Sequence, residues 1–440
     1  MSTGLRFDPR MFITTPFRQC PKCGAGEFGS LMISGATQTR RCRACWHTET
    51  RRLPALRKKI VYLDQMAYSN MAKTLDPVWA ASKAPQGPFP AKLFDALERA
   101  FKLQLIVCPN STVHEKESAL ASHPSMLRAV YEHLGNGISF EHPVIIHQHQ
   151  LGVALRAVLA REAPTYDLPR DFVLHGNPDE WMERIQISVK MAGLQPDPKV
   201  QRAVKDRSHA AMTGYFEQWR ADKGRRFGDW YRQERRGHAE NFTLLFRERV
   251  ALMQRVGAGQ APFSEDVWNP RLEAEVVMGL VHLAEQAGCA PNDALGTVLE
   301  FLFSDIAFDA PANDISALMM AALARKAASG QRRPPSPGMW NDITAIASFL
   351  PYCDAMFLDN ECAGLLREEP LRTKLAPLGT RIFSSKTGDE FLAYLASLER
   401  EQAGSEHVRL VEDVYGDDWS VPYREILIHE RERQGRTGGS

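Results

Sequence analysis

Long hydrophobic runs are missing from this 440-residue chain. The longest largely apolar stretch, Ile315 to Ala324 between Asp314 and Arg325, is half the ~20 residues a membrane helix needs, so no transmembrane segment is expected. No apolar segment follows Arg6, Asp8 and Arg10 either, so no secretory leader is expected and the reading is a cytoplasmic protein. A GxxxxGK[ST] phosphate loop is absent, which removes the P-loop NTPases. Net charge is nearly absent as well, at +1.

What is present is ordinary in bulk and uneven in distribution. Hydrophobic residues at 44% and charged residues at 24% lie near the globular average, and the length suits two or three domains. Residues 1–59 hold twelve Lys/Arg against three Asp/Glu, and residues 201–256 hold thirteen against seven, which leaves the remainder at −14. Charge sorted in this way points to a polyanionic partner for the basic segments. Interspersed acids in 201–256 also fit a plain solvated helix surface.

Four of the eight cysteines form Cys20-Pro-Lys-Cys23 and Cys42-Arg-Ala-Cys45, separated by eighteen residues. Two such knuckles aim four thiolates at one point, the donor set of a closed, structural zinc site. Nothing else marks the chain as secreted, so disulfides are disfavoured. Arg40, Arg41, Arg43, Arg51 and Arg52 flank the second knuckle with Trp46 among them. Cations interleaved with an aromatic ring suit phosphate contact and base stacking, so these six are the candidate nucleic-acid contacts.

Beyond residue 57, short apolar runs carry acids at their ends. Ile60 to Leu63 exits at Asp64; Leu103 to Cys108 leads into Ser111-Thr-Val-His-Glu115-Lys-Glu117; Ala355 to Leu358 lies between Asp354 and Asp359; Arg381 to Ser384 precedes a helical pattern. Runs of this length without alternation fit buried strands of a parallel sheet, with helices between them, hence an α/β fold. Ligands of such sheets sit beyond the carboxyl ends of the strands. Asp342 opens a further helix, Trp340-Asn-Asp-Ile-Thr-Ala-Ile. Each acid alone could be a helix cap. Acids gathered at one sheet edge would form an oxygen-rich site for Mg²⁺ or Mn²⁺.

These residues resemble the PIN-domain nucleases. Ile60-Val-Tyr-Leu-Asp64 resembles that family's first strand and first acid, and Asn341-Asp342-Ile-Thr-Ala-Ile-Ala its helix opening with an active-site Asp. Cys353-Asp354-Ala-Met-Phe-Leu-Asp359 is similar to its last catalytic strand, and Arg381-Ile-Phe-Ser with Asp389-Glu-Phe-Leu to its closing strand and helix. Phe357 departs from it, standing where many members carry a small hydroxyl residue. The resemblance implies a three-layer parallel-sheet domain and a divalent-metal-dependent endonuclease, RNA being favoured over DNA as substrate. Asp64, Glu115, Asp342 and Asp359 would be the catalytic ligands of Mg²⁺ or Mn²⁺. Glu117 and Asp354 are the secondary candidates, and Glu115 is preferred to Glu117.

The expected organisation is a basic segment at 1–56 with a zinc ribbon at about 17–50, a PIN-like domain split into 57–124 and 311–404, a helical insertion at 125–310, and an extension with a flexible tail at 405–440. The insertion either lines a substrate groove with its basic part or packs helix on helix without contacting substrate. Two further functional readings stand beside the ribonuclease. One is a non-cleaving zinc-ribbon RNA-binding or adaptor protein, and the other a nuclease for structured DNA. A protein partner or homo-oligomer is compatible with each.

Overall fold

A computed structural model describes residues 8–75, 87–181, 198–264, 267 and 270–416. The first module is an antiparallel meander of β1 (Thr14–Arg18), β2 (Phe28–Ser34), β3 (Thr37–Cys42) and β4 (Thr48–Arg52), hydrogen-bonded in that order. The rest of the chain supplies β5 (Lys59–Leu63), β6 (Ile106–Val107), β7 (Ser139–Phe140), β8 (Leu174–His175), β9 (Ala355–Leu358) and β10 (Arg381–Ser384). A four-stranded sheet runs β10-β9-β5-β6, and every pairing within it is parallel. A parallel bridge from Asn110 to Ser139 lays β7 beside the end of β6, and β7 pairs antiparallel with β8.

The sheet strands are apolar along their middles because both faces are covered. Their pleat sends Ile60, Tyr62, Val107, Met356 and Leu358 into one core and Val61, Leu63, Ile106, Phe357 and Phe383 into another. Complete burial of such a side chain contributes about 1.5–3 kcal/mol, so these runs have no room for polar alternation. Helices Gln65–Leu75, Phe89–Lys102, Pro124–Gly135 and Gly388–Gln402 close the second core. Helices Pro311–Ala328, Met339–Phe349 and Asn360–Arg367 close the first. The architecture is thus α/β, with helical layers on both sides of a parallel sheet.

One boundary differs from the sequence expectation. Helix Pro124–Gly135 belongs to the sheet domain, since Met126, Val130 and Leu134 are buried in its second core. The departure into helical structure therefore comes after β7 and not at residue 125. Pro178 to Trp181 form a turn and a bend.

Helices Pro143–Ala160, Phe227–Gly257, Leu272–Gln286 and Pro291–Leu302 build a third core around Leu151, Phe242, Phe246, Val277 and Val298. Phe227–Gly257 is 31 residues long, about 46 Å at ~1.5 Å per residue, and outruns that core. Val250 and Met253, near its carboxyl end, are exposed. No helix among the described residues is long and apolar enough to cross a membrane.

The meander is fastened to helix Ser405–Tyr415. Leu53, Leu56, Trp181, Val411, Val414 and Tyr415 form a small core between them, and the Trp181 indole N–H donates to the Pro54 carbonyl at 2.7 Å. Asp413 is buried there and pairs with Arg18, Arg40 and Arg51. The expected flexible tail, from 417 on, lies outside the described residues.

Candidate functional site

The two CxxC knuckles fold as near copies. The amide after each closes back on its first cysteine, Gly24 N–H to Cys20 O at 2.9 Å and Trp46 N–H to Cys42 O at 3.0 Å. Both residues are left-handed, Gly24 at φ +73° and Trp46 at φ +61°. Glycine takes that conformation without penalty, whereas a tryptophan there is strained. The Arg41 guanidinium lies 4.6 Å from the Trp46 ring centroid and helps to hold it.

The result is a cluster in which all four cysteine Sγ atoms lie within 4.8 Å of one another. Cys20 and Cys45 are 3.6 Å apart and Cys23 and Cys42 are 3.8 Å apart, against about 3.8 Å for a tetrahedron with ~2.3 Å Zn–S bonds. These four side chains could hold a zinc ion.

The basic surface around the ribbon is smaller than its sequence suggests. Arg40 is buried and donates to the Asp413 carboxylate at 2.6 Å, so it is a tie to helix Ser405–Tyr415 and not a free surface cation. Arg51 shares that carboxylate and also donates to Gln38 Oε1 at 2.9 Å. Arg43 turns inward to the Ile13 carbonyl and stacks 4.5 Å from the Phe17 centroid. Arg41, Arg52 and Trp46 keep exposed or half-exposed faces.

The second constellation sits at the carboxyl edge of the parallel sheet. From β5 the chain moves outward through β6 and then β7; it later returns to β9 on the other side of β5 and moves away through β10. The strand order therefore reverses between β5 and β9, and such a switch point opens a crevice at the carboxyl ends of the two strands. Asp64 ends β5 and Asp359 ends β9. The Asp359 N–H donates to Asp64 Oδ2 at 3.2 Å.

Asp342 comes to the same place from the first turn of Met339–Phe349. Its carboxylate, that of Asp359 and the Cys362 Sγ lie within 4.8 Å of one another. Asp359 also caps helix Asn360–Arg367, its Oδ1 accepting from Cys362 N–H at 2.7 Å. A cap uses one carboxylate oxygen, so the capping role and a shared site coexist in one residue.

Of the two glutamates after β6, the structure brings Glu117 to the cluster and leaves Glu115 out. In helix Thr112–Ser118 the buried stripe is His114 and Ser118. Glu115 and Glu117, about 200° apart around the helix, flank that stripe on opposite sides. Asn341 Nδ2 donates to Glu117 Oε1 at 3.0 Å. Glu115 is exposed and lies near Arg128 and Tyr131.

Asp354 is at the wrong end of its strand for this cluster. It precedes β9, accepts from Lys59 Nζ at 2.8 Å and from Ile60 N–H at 2.9 Å, and so closes the amino edge of the sheet. A cavity of about 420 Å³ opens at that edge beside Lys59, Asp354, Arg381 and Tyr394. The size of that opening is a poor guide to chemistry, because its Lys59 and Asp354 satisfy each other.

The acid cluster is electrostatically expensive. Burial, then the charges of Asp359 and Glu117, pushes Asp64 up to about 7. Burial, then Asp64, Glu117 and Asp359, pushes Asp342 up to about 9. Burial also raises Glu117, with the Asn341 hydrogen bond opposing it. Among the described residues none of these four carboxylates forms an ion pair with a lysine or arginine. Three helix N-termini, those of Gln65–Leu75, Met339–Phe349 and Asn360–Arg367, offset part of the charge.

The cluster is also held rigidly. His114 is buried between the Tyr62 and Tyr68 rings, and its Nε2 lies 2.8 Å from the Leu63 carbonyl, one residue before Asp64. Burial lowers its pKa to about 4, so the ring is neutral and Nε2–H donates. Phe357 stacks against Phe89 with ring centroids 6.0 Å apart in the second core and brings no hydroxyl to the acids. Family models, curated proteins and solved structures contain no match to this chain.

Proposed function

We propose that the chain is a divalent-metal-dependent endonuclease of PIN type, cleaving phosphodiester bonds and most readily those of RNA. The observation that carries this reading is a set of four carboxylates, Asp64, Glu117, Asp342 and Asp359, drawn from four separate segments to one switch-point crevice with no ion-paired cation among the described residues. Like charges gathered this closely are costly unless a multivalent cation shares them.

The donors fit a hard ion. Carboxylate oxygens suit Mg²⁺ and Mn²⁺, and the nearby Cys362 stays a neutral thiol because burial and the surrounding acids hold its pKa well up. When bound, the ion supplies Lewis acidity toward a phosphodiester and lowers the pKa of an attacking water. Asp342 and Asp359 would hold it, with Asp64 and Glu117 beside them. Asn341 fixes the Glu117 rotamer, and His114 fixes the backbone that carries Asp64. The helix N-termini add favourable potential for the phosphate.

The non-cleaving RNA-binding reading keeps one supporting observation, the missing hydroxyl at Phe357. A single panel separates the two: RNA, single-stranded DNA and duplex DNA, each incubated with the full chain in Mg²⁺, Mn²⁺ or chelator. Metal-dependent scission of RNA is expected, with Asp342→Asn at least ~100-fold slower, since losing even an outer-shell partner costs ~10–100-fold. Undiminished scission by Asp342→Asn would sink the assignment, and RNA binding without scission would favour the adaptor.

A further inference from the structure

Helix Pro198–Ala221 turns one stripe of side chains inward, recurring at three- and four-residue intervals: Gln201, Lys205, His209, Met212, Phe216 and Trp219. Its carboxyl half is ordinary. Met212, Phe216 and Trp219 are buried in the same core as Met339 and Ile343, which seats the helix beside Met339–Phe349, the helix that carries Asp342.

The amino half of the stripe is polar, and it runs past that core toward the acid cluster. Lys205 lies close enough to Glu117 for the two charges to interact, yet the two make no direct ion pair among the described residues. Gln201 Oε1 and His209 Nδ1 are buried and have no hydrogen-bond partner among the described residues. Buried polar atoms are nearly always satisfied, so two orphans on one stripe, astride a lysine, call for a missing partner. A structural stripe would have continued apolar, and a solvated one would have left these atoms in water. The partner must accept from an ammonium and also donate to an amide oxygen. A ribonucleotide does both, through its phosphate oxygens and its 2′-hydroxyl.

We propose that Gln201, Lys205 and His209 form the second wall of the substrate groove, with Lys205 binding a backbone phosphate next to the acid cluster and Gln201 Oε1 accepting from a ribose 2′-hydroxyl. This deepens the nuclease reading by naming what holds the strand, but it is tested through binding and does not require cleavage.

The full chain is titrated in Ca²⁺, an oxygen-liganded ion suited to the same donors, against labelled single-stranded RNA and DNA of one sequence over a range of salt. Lys205→Ala should weaken RNA about five- to ten-fold and flatten the log–log salt dependence by about 0.7, the single-strand value for one phosphate. Lys205→Arg should restore most of both. Gln201→Leu should weaken RNA while leaving DNA unchanged. Lys205→Met keeps the alkyl stem and serves in place of the alanine variant if circular dichroism shows the latter to be misfolded.

Wild-type affinity and salt slope in a folded Lys205 variant would overturn the proposal, as would a wild-type chain that binds neither polymer. Equal loss of RNA and DNA in Gln201→Leu would overturn the 2′-hydroxyl assignment. A wild-type chain that binds RNA but never cuts it in Mn²⁺ would remove the nuclease reading, and the Lys205 result would still decide this one.

Discussion

The ribbon and the sheet edge each gather four groups that repel one another once deprotonated, but they do so by different routes. The thiols come from 26 consecutive residues, Cys20 to Cys45, and the hairpin joining them has no apolar core larger than Cys20, Phe28 and Cys42. The carboxylates come from positions as far apart as Asp64 and Asp359, and the sheet that carries them has a substantial core on each face. One cluster has little apolar packing of its own to hold it together without a metal ion. The other is imposed by a fold that stands without one and bears the repulsion as a local cost.

Withholding zinc from the four cysteines that could hold it tests the first half of that contrast and has the largest expected effect. Structural zinc sites of this kind contribute roughly 10–16 kcal/mol of apparent binding energy, far beyond what so small a core supplies. Cys42→Ser, or a strong chelator, should release residues 9–53 to protease and fast hydrogen exchange and abolish the zinc content. The parallel-sheet domain should keep its protection. Loss of the sheet domain in step with the ribbon would show that the two do not differ in this way.

Next in size is the choice between neighbouring glutamates. Glu117→Gln should weaken Mn²⁺ binding by about 10–100-fold, the range for disturbing a metal shell, and slow scission with it. Glu115→Gln, on the solvent side of the same short helix, should change neither. Calorimetric titration of the two variants with Mn²⁺ reads the difference directly, and equal losses would return Glu115 to the site.

That pair also marks where the sequence stops being legible. The strands could be read because burial on both faces leaves an unbroken apolar run, as in Ile60 to Leu63, and the chain direction then places Asp64 and Asp359 at carboxyl ends. The same logic applied to Asp354 would have put it at the amino end, since it precedes its strand. The sequence reading prefers Glu115, whereas Glu117 is the one beside Asn341, because the buried stripe of a seven-residue helix is defined by what it packs on. His114 owes that stripe to β5, some fifty positions earlier in the chain. Arg40 is a related case: it looks like a surface cation until Asp413 arrives from the far end of the chain and the pair is buried.

The smallest effect is a pH dependence that the two clusters should not share. A carboxyl group whose pKa is raised on folding binds more protons in the folded chain than in the unfolded one, so stability falls as pH rises through the interval between the two values. For Asp64 that interval runs from the unperturbed 3.8 to about 7, and for Asp342 from 3.8 to about 9. In chelator too weak to compete for zinc at the four cysteines, the thermal midpoint of the sheet domain should therefore decline between pH 5 and pH 9 by a few degrees, since ~1 kcal/mol moves Tm by about 2–4 °C in a domain of this size. Saturating Mn²⁺ should flatten the decline, because the ion supplies the charge that protons otherwise supply, and Asp342→Asn should reduce it in the metal-free protein. A midpoint that instead climbs over this range, with or without Mn²⁺, would mean that the carboxylates are already paired in solution and that the crevice carries no unmet negative charge.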